Sequence, residues 1–293
     1  LLDSCRYKAS ENQIRASAKA ESSKNRKNTE TVISVREAWF RYEKDSKDIL
    51  CGMNFDIHAG ELTCIVGGNG AGKTTALMTA AGVFSPYRGK VKYRGKPIST
   101  FRKDKGSAGK IGVLVQNPLC CFVMDSVAEE LEATAKAYKL PRSGIEEVID
   151  IMQLQSVLGS NPYDISGGEL QRAAIAKLLL PKPEVIFLDE ATKGMDAFFK
   201  AEFGALLRRL AARGTAIVLV SHDIEFCAEF ADRCAMFFNG TVIAEGTPQE
   251  VFLGNSFYTT SACRISRGII PDALTSEQVI DYANRCERKK NDA

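Results

Sequence analysis

The sequence lacks several features that would assign it to a common class of protein. No uninterrupted apolar run approaches the roughly 18–20 residues that a membrane span needs, and segments such as Ala216–Val220 are far shorter. The first 20 residues contain no apolar stretch of the signal-peptide kind. The nine cysteines are odd in number and include no C-x-x-C pair. This spacing argues against a disulfide framework and a zinc site, and it favours buried thiols in a reducing cytosol.

An excess of charge of one sign is also missing from most of the chain. The formal net charge is +3, and the excess lies in residues 1–30, which contain seven basic and four acidic side chains. Because the rest of the chain is neutral and lacks the broad basic surface that binds phosphates, we expect no nucleic-acid partner. The polar residues 1–30 are predicted to form a linker or disordered arm.

What the sequence does contain is an alternation of short apolar runs with helical stretches, which predicts an α/β fold with a parallel sheet. The predicted strands are Glu61–Val66, Lys110–Val115, Glu184–Leu188 and Ala216–Val220. The predicted helices beside them are Lys73–Ala81, Leu170–Leu180 and Phe198–Ala212. Two earlier segments, Val32–Trp39 and Gly52–Ile57, show the partial alternation of antiparallel strands.

Two further regions depart from this alternation. Val127–Tyr138 and Ile145–Leu158 have helical spacing and predict a helical insertion in the α/β core. Asn239-Gly240 lies between two apolar segments and predicts a hairpin. Residues 255–293 are polar and are predicted to be helical.

A glycine-rich turn joins the predicted strand Glu61–Val66 to the predicted helix that follows it. Its residues fit G-x-x-x-x-G-K-[ST] and are Gly67, Gly68, Asn69, Gly70, Ala71, Gly72, Lys73 and Thr74. Glycines let backbone N–H groups surround phosphate oxygens, and the helix N-terminus adds partial positive charge. The pattern predicts a phosphate-binding loop (P-loop) in which Lys73 reaches the β- and γ-phosphates and Thr74 ligates Mg²⁺.

Two carboxylates end the predicted strand that begins at Glu184. Asp189 suits the Mg²⁺ shell, and Glu190 is placed to polarise an attacking water. Seen alone, the pattern fits a strand end with two solvated acids equally well. The P-loop upstream favours the nucleotide interpretation.

Ser166, Gly167, Gly168 and Glu169 open the predicted helix Leu170–Leu180. Ser-x-x-Glu is a capping box, so these residues could serve only to start a helix. Two consecutive glycines, however, cost backbone entropy that a simple cap does not need. They also expose amides at a helix N-terminus, which suits a second anion.

These motifs, with Gln171-Arg172 and Ser221-His222-Asp223, stand in the order and approximate spacing of an ABC-type ATPase subunit, which the chain resembles over residues 31–253. The resemblance implies a P-loop NTPase (RecA-like) α/β fold that binds ATP and Mg²⁺. It implies a parallel-sheet core, an antiparallel β subdomain and a helical subdomain inserted at about residues 118–165. Residues 254–293 would form a C-terminal helical extension.

The same resemblance gives roles to individual residues. Gln116 is similar to the glutamine of the family's Q-loop, and His222 to the switch histidine that contacts the γ-phosphate. Tyr42 resembles the aromatic residue that stacks on adenine, with Trp39 and Phe40 as competing candidates. The implied catalytic residues are Glu190, His222, Lys73 and Gln116, and the implied metal ligands are Thr74, Gln116 and Asp189. The implied nucleotide-binding residues are Tyr42, the P-loop residues 67–74, Thr75, Ser166, Gly167, Gly168, Glu169 and Asp196.

Three positions depart from the family pattern. Glu169 replaces the glutamine that usually ends the signature, and Met195-Asp196 replaces Leu-Asp in the D-loop, which crosses the dimer interface in this family. Lys193 stands where many relatives carry an uncharged residue. None of the three removes a catalytic group. We expect them to affect how efficiently the site formed by the signature works.

A narrower resemblance is to the ATPase of energy-coupling-factor importers, which take up vitamins and transition metals. It rests on short motifs, namely Gln116-Asn117-Pro118, Phe122-Val123, Ser126-Val127 and the stretch from Gly254 to Thr260. The last stretch is similar to the tail of the second half of tandem-fused versions. The adjacent Cys120-Cys121 departs from the polar residues common in that loop.

The resemblance implies a subunit that hydrolyses ATP at the cytoplasmic face of the cell membrane and powers micronutrient uptake. Its implied partners are a second ATP-binding domain, a transmembrane coupling subunit and a substrate-binding membrane subunit. The second domain could come from a homodimer, a heterodimer or a fused N-terminal half. One alternative is a non-transport ABC-family ATPase acting in DNA repair or translation. Two others are a P-loop kinase or GTPase, and a regulatory ABC-like protein that binds ATP without hydrolysing it.

Overall fold

The computed structural model describes residues 30–253, 258–267, 269–270 and 273–291, apart from the side chains of residue 105 and residues 287–291. Apart from Glu30, the predicted arm 1–30 lies outside the described residues, as do the first four residues of the predicted C-terminal extension. Within the described part of the chain, no helix combines the length and the apolarity needed to cross a membrane.

A six-stranded sheet forms the centre of the fold, with the strand order β10-β9-β3-β8-β7-β6. Its strands are β3 (Leu62–Val66), β6 (Ile111–Leu114), β7 (Val185–Asp189), β8 (Ala216–Val220), β9 (Arg233–Phe238) and β10 (Thr241–Gly246). Neighbouring strands are parallel except for β9 and β10, which form an antiparallel hairpin at Asn239-Gly240. The prediction of an α/β fold with a parallel sheet is therefore confirmed.

A second sheet is antiparallel and has the strand order β2-β1-β4-β5. Its strands are β1 (Thr31–Phe40), β2 (Leu50–His58), β4 (Arg88–Tyr93) and β5 (Lys96–Pro97). Val35 stands opposite both Phe55 and Val91, and all three side chains are buried. This apolar inner face packs towards the central sheet, so the predicted antiparallel strands are also confirmed.

Ten α-helices occur in the part of the chain that the structure describes. They are α1 (Lys73–Ala80), α2 (Ile98–Lys103), α3 (Val127–Tyr138), α4 (Arg142–Met152), α5 (Gly167–Leu179), α6 (Ala197–Ala212), α7 (Ile224–Phe230), α8 (Pro248–Phe252), α9 (Ser261–Ser266) and α10 (Ser276–Asn291). The short helices α2 and α7 were not predicted. Helix α7 begins where the Asp223 side chain accepts a hydrogen bond from the Phe226 backbone N–H.

Helix α4 is shorter than its pattern predicted. It ends at Met152 because Gln153 adopts φ 51° and caps the helix in the left-handed conformation. The Gln153 side chain also donates a hydrogen bond of 2.9 Å to Glu202 in α6. The predicted helix Ile145–Leu158 is therefore wrong after Met152, where the chain makes a short 3₁₀ helix at Gln155–Val157.

Two apolar cores lie on opposite faces of the central sheet. Along β3, Cys64 packs into one core and Ile65 into the other. The first core includes Leu131 of α3 and Phe203 of α6, whereas the second includes Leu77 of α1. Because both faces are covered, a ligand can reach the sheet where its parallel strands end, which is the usual binding edge of open α/β sheets.

Candidate functional site

The glycine-rich turn lies between the carboxyl end of β3 and the first residue of α1. Gly67 packs so closely that a Cβ built on it would lie 2.2 Å from the Phe237 carbonyl oxygen. Gly72 has φ 100°, and a Cβ there would lie 2.9 Å from the Ile49 carbonyl oxygen. Both positions require glycine, and the absence of side chains lets an anion approach the backbone N–H groups.

Lys73 is 5% exposed and folds back over this turn. Its Nζ donates hydrogen bonds to the carbonyl oxygens of Gly67 at 3.0 Å and Gly68 at 2.9 Å. Burial lowers the pKa of the Lys73 ammonium, whereas the Glu190 and Asp189 carboxylates oppose that shift. The ammonium thus has two neutral acceptors that phosphate oxygens can replace.

Thr74 and Asp189 form a pair suited to a hard divalent cation. The Thr74 hydroxyl donates to Asp189 Oδ2 at 2.8 Å. Asp189 Oδ1 is buried and has no hydrogen-bond partner among the described residues. Burial raises the pKa of Asp189, although the bond from Thr74 opposes this. A carboxylate oxygen without a partner beside a hydroxyl is the oxygen donor set that Mg²⁺ prefers, so these residues fit the predicted metal.

Glu190 contacts Gln116 and His222, the two polar side chains to which the resemblance gives catalytic roles. Its Oε1 lies 3.2 Å from His222 Nε2, and its Oε2 accepts a hydrogen bond of 3.2 Å from Gln116 Nε2. The Glu190 backbone has φ 52° and donates its N–H to the Val220 carbonyl oxygen of β8. A left-handed conformation is unfavourable for glutamate, and such strain is concentrated at functional sites.

Tyr42 also lines the cleft, beside Thr75. Its hydroxyl lies 2.9 Å from Thr75 Oγ1, and its ring meets Phe40 and Phe84 edge to face. The Tyr42 side chain remains 59% exposed and available for stacking, whereas Phe40 packs against the second core. Tyr42 therefore fits the aromatic role better than the competing Trp39, whose indole Nε1 is buried.

A cleft of about 350 Å³ brings many of the predicted residues together. Its lining is Tyr42, Ile49, Asn69, Gly70, Gly72, Lys73, Thr74, Thr75, Gln116, Glu190 and His222. Asp189 lies beneath it, bonded to Thr74. The remaining P-loop residues Gly67, Gly68 and Ala71 belong to the turn but do not line the cleft.

The predicted signature lies outside this cleft. Ser166 caps α5, and both its N–H and its hydroxyl donate to Glu169 Oε2, at 2.9 and 2.6 Å. These bonds lower the pKa of Glu169. A Cβ built on Gly168 would lie 3.3 Å from the Gly194 carbonyl oxygen, which places the signature beside the predicted D-loop. Asp196 of that loop caps α6 by accepting the Phe199 N–H at 2.8 Å.

One ion pair beside the cleft was missed by the sequence interpretation. Lys200, in the first turn of α6, donates to Asp223 Oδ2 at 2.6 Å. Asp223 follows His222 directly, so this pair ties the helix that starts at Asp196 to the turn that holds His222. The Ser221-His222-Asp223 motif contained the signal for Asp223, but nothing in the local sequence indicated Lys200.

The family model and the curated relatives that match this chain describe the same kind of protein. The family model described as "ABC transporter" matches residues 50–193. A putative ABC transporter ATP-binding protein of Bacillus cereus is 39% identical over 258 residues, which are 87% of this chain and 46% of that protein. The chain therefore spans about half the length of this relative. The energy-coupling factor transporter ATP-binding protein EcfA of Methanocaldococcus jannaschii is 32% identical over 226 residues, or 75% of this chain and 81% of that protein.

Solved structures agree with this assignment. CbiO1 of Clostridium perfringens, described as part of the ABC transporter complex cbiONQ, has 30% identity and a TM-score of 0.67. The alignment covers 75% of this chain and 90% of that one. A nucleotide-free ATP-binding cassette from an ABC transporter has 20% identity and a TM-score of 0.61, which supports the fold alone. With relatives at 30% identity or more aligned over most of their length, the chain belongs to the family of ABC transporter ATP-binding proteins.

Proposed function

We propose that the chain binds and hydrolyses ATP as the motor part of an ABC-type membrane importer of the energy-coupling-factor class. The observation that carries this proposal is the meeting, at one cleft, of a phosphate-binding lysine, a cation-binding pair and a carboxylate suited to orient water. The residues concerned are Lys73, Thr74, Asp189, Glu190, Gln116 and His222.

The proposed binding step uses groups that already face the cleft. Lys73 exchanges its two carbonyl acceptors for phosphate oxygens, and the P-loop amides bind the same phosphates. Tyr42, held by its contact with Thr75, stacks on the adenine. Thr74 and Asp189 would hold Mg²⁺, which when bound supplies positive charge beside the phosphates.

Hydrolysis then requires positioning more than covalent chemistry. Glu190 orients a water for attack on the γ-phosphate and accepts its proton at a carboxylate oxygen, while the bond from the γ-phosphorus to the β–γ bridging oxygen breaks and ADP leaves. Gln116 and His222 hold the two oxygens of Glu190 from opposite sides. This double contact fixes the carboxylate at the end of β7.

The position of the signature leads us to propose a dimer. Ser166 and Gly168 lie outside the chain's own cleft, so the signature amides would have to meet nucleotide bound by another domain. We propose a head-to-tail pair with a second ATP-binding domain, in which each ATP lies between one P-loop and the opposite signature. Gly194 lies beside Gly168, and Asp196, two residues further on, would then lie at the shared interface.

Glu169→Gln is expected to raise the rate of ATP hydrolysis. The Glu169 carboxylate engages the Ser166 hydroxyl and adds negative charge where a partner's γ-phosphate would bind. Glutamine keeps the capping box but removes the charge, which we expect to raise kcat/KM by roughly fivefold, or about 1 kcal/mol. Phosphate release measures this rate. Glu250→Gln, in the equivalent capping box of α8, is the matched control and should leave the rate unchanged. An unchanged or lower rate in Glu169→Gln would contradict this interpretation.

Lys200→Met is expected to slow hydrolysis without weakening ATP binding. Loss of the Lys200–Asp223 pair releases the turn that places His222 beside Glu190, and such misplacement lowers kcat by about tenfold. Lys200→Arg should restore most of the rate because it keeps the charge. Lys182→Met, which removes an exposed ion pair with Glu147, is the control. Equal losses of kcat in the Lys200 and Lys182 variants would show that the effect is not local.

We further propose that a membrane partner docks beside the loop that follows Gln116. A cavity of about 390 Å³ lies there between β6, α3 and α5. Val123, at its rim, is 82% exposed, although its backbone N–H donates to the buried Glu130, which pairs with the half-buried Lys177. A firm backbone carrying an exposed apolar side chain suits a transmembrane coupling subunit. The chain would then work peripherally, at the cytoplasmic face of the membrane.

The substrate class in this proposal is a micronutrient such as a vitamin or a metal ion, selected by a separate membrane subunit. Relatives named EcfA and CbiO1 support the energy-coupling-factor type. Purification of the tagged chain from detergent-solubilised membranes, followed by mass spectrometry, tests the proposal. We expect a multispanning membrane protein and a second ATP-binding domain. Recovery of nucleic acid or ribosomes without a membrane protein would favour the non-transport alternative.

A further inference from the structure

The C-terminal segment that follows α8 returns to the P-loop. Tyr258 is half-buried and packs against the first core. Its phenolic oxygen lies 3.4 Å from the position that a Cβ on Gly68 would occupy. Among the described residues, and apart from Gly68 and its two chain neighbours, no other atom lies within 4 Å of that position. The Tyr258 hydroxyl therefore borders the side of Gly68 on which a side chain would stand.

The contact falls on the part of the loop that holds the lysine. The Gly68 carbonyl oxygen accepts the hydrogen bond from Lys73 Nζ at 2.9 Å. Gly68 is not in the left-handed region, so its backbone conformation does not itself demand glycine. The side chain that borders Gly68 is that of Tyr258. A residue of the C-terminal segment therefore limits the space beside this part of the P-loop.

The same segment is anchored to the helix beside His222. The Ser261 N–H and hydroxyl both donate to Glu225 Oε1 at 2.9 Å, and Glu225 lies in the first turn of α7. Thr260 is fully buried and caps α9. Residues 258–261 therefore lie against both the P-loop and α7, the helix that follows His222. The position of Tyr258 is thus fixed by contacts outside the P-loop.

We propose that Tyr258 is a positioning residue of the nucleotide site, an inference that rests on the proposed function. When Lys73 turns to phosphate, the Gly67 and Gly68 carbonyls lose their internal partner. Glycine has the greatest backbone freedom of any residue, so ordering this stretch around phosphate carries an entropic cost. Tyr258 limits that freedom before nucleotide binds and so preorganises the loop.

Tyr258→Phe and Tyr258→Ala test this role through nucleotide affinity. We expect the Kd to rise about threefold for Tyr258→Phe, which loses the hydroxyl, and about tenfold for Tyr258→Ala, which also loses the ring. Each loss removes part of the preorganisation of the P-loop. The factor should be the same for ATP and ADP, since the P-loop binds phosphates that both share. The kcat at saturating ATP should stay within about twofold of wild type. Tyr282→Phe, which removes an exposed hydroxyl from α10, is the matched control.

Wild-type affinity in both Tyr258 variants would overturn the inference, as would a loss confined to ATP, which would mean contact with the γ-phosphate. If Tyr258→Ala does not fold, a double-mutant cycle of Tyr258→Phe with Gly68→Ala replaces it. Non-additive Kd values support the contact, and additive values overturn it.

Lys73→Ala separates the proposed function from the inference about Tyr258. If it binds ATP like wild type, the proposed function fails, whereas its loss of binding beside unaffected Tyr258 variants defeats only this inference.

Discussion

Lys73→Ala is expected to abolish ATP binding at concentrations that saturate the wild-type protein. Lys73 is the cation of the P-loop, and among the residues that the structure describes its ammonium donates hydrogen bonds only to the neutral carbonyl oxygens of Gly67 and Gly68. Charge-assisted bonds to phosphate are worth about 3 kcal/mol, so the Kd should rise by about a hundredfold or more. Isothermal titration calorimetry with Mg²⁺-ATP measures this change directly.

The control for this variant is another lysine whose charge has no role in the cleft. The Lys182 side chain is 75% exposed and pairs with Glu147 on the surface, so Lys182→Ala should bind ATP like wild type. The Lys73 side chain lines the cleft, so its removal widens the cleft rather than leaving a closed void in the core, and we expect the fold to persist. Unchanged ATP affinity in Lys73→Ala would contradict the assignment of the P-loop.

Glu190→Gln is expected to stop hydrolysis while ATP still binds. Glutamine has the same shape, so its amide can keep contacts with Gln116 and His222, but it cannot accept a proton from water. General-base catalysis contributes about 10²–10⁴-fold, and kcat should fall by at least about a hundredfold. The Kd for ATP should stay within about threefold of wild type, because Glu190 lies beyond the groups that bind the phosphates. Phosphate release and calorimetry on the same preparation separate the two effects.

The matched control is Glu147→Gln on α4, an exposed carboxylate that pairs with Lys182 far from the cleft. It should leave both hydrolysis and binding unchanged. Hydrolysis near the wild-type rate in Glu190→Gln would remove Glu190 from the proposed mechanism. Loss of ATP binding in the same variant would instead show that the carboxylate acts mainly on the fold of the cleft.

The features that the sequence predicted well are those encoded within a short window. The P-loop follows from eight consecutive residues, and β7 follows from an apolar run that ends at Asp189. Helix α1 begins at Lys73, where the pattern placed it. The prediction of a parallel sheet also followed from local alternation, since neighbouring parallel strands need a crossover connection.

The features that it missed depend on contacts between distant parts of the chain. Lys200 meets Asp223 because α6 and the turn after β8 pack together. Tyr258 meets Gly68 across the fold, and no local pattern pairs these positions. The end of α4 likewise depends on Gln153, whose side chain reaches across to another helix. Hydrophobic periodicity carries no information on such pairings.

The partners of the chain, unlike its fold and family, are proposals. The fold and the family are settled by the central sheet and by relatives such as EcfA. The second ATP-binding domain and the membrane subunits are proposals that rest on surfaces, above all the exposed Val123 and the signature at Ser166. Neither Val123 nor Ser166 lines the cleft, and in the proposed dimer the signature at Ser166 meets the ATP that the second domain binds.

The central claim is that this cleft hydrolyses the ATP that it binds. A single-turnover experiment tests it most directly, with the protein in excess over γ-³²P-labelled ATP, at high protein concentration to favour dimers. We predict first-order release of labelled phosphate that stops when Mg²⁺ is chelated, because Thr74 and Asp189 then lack the cation that they are suited to hold. ATP that is fully bound yet remains intact in the presence of Mg²⁺ would contradict the account.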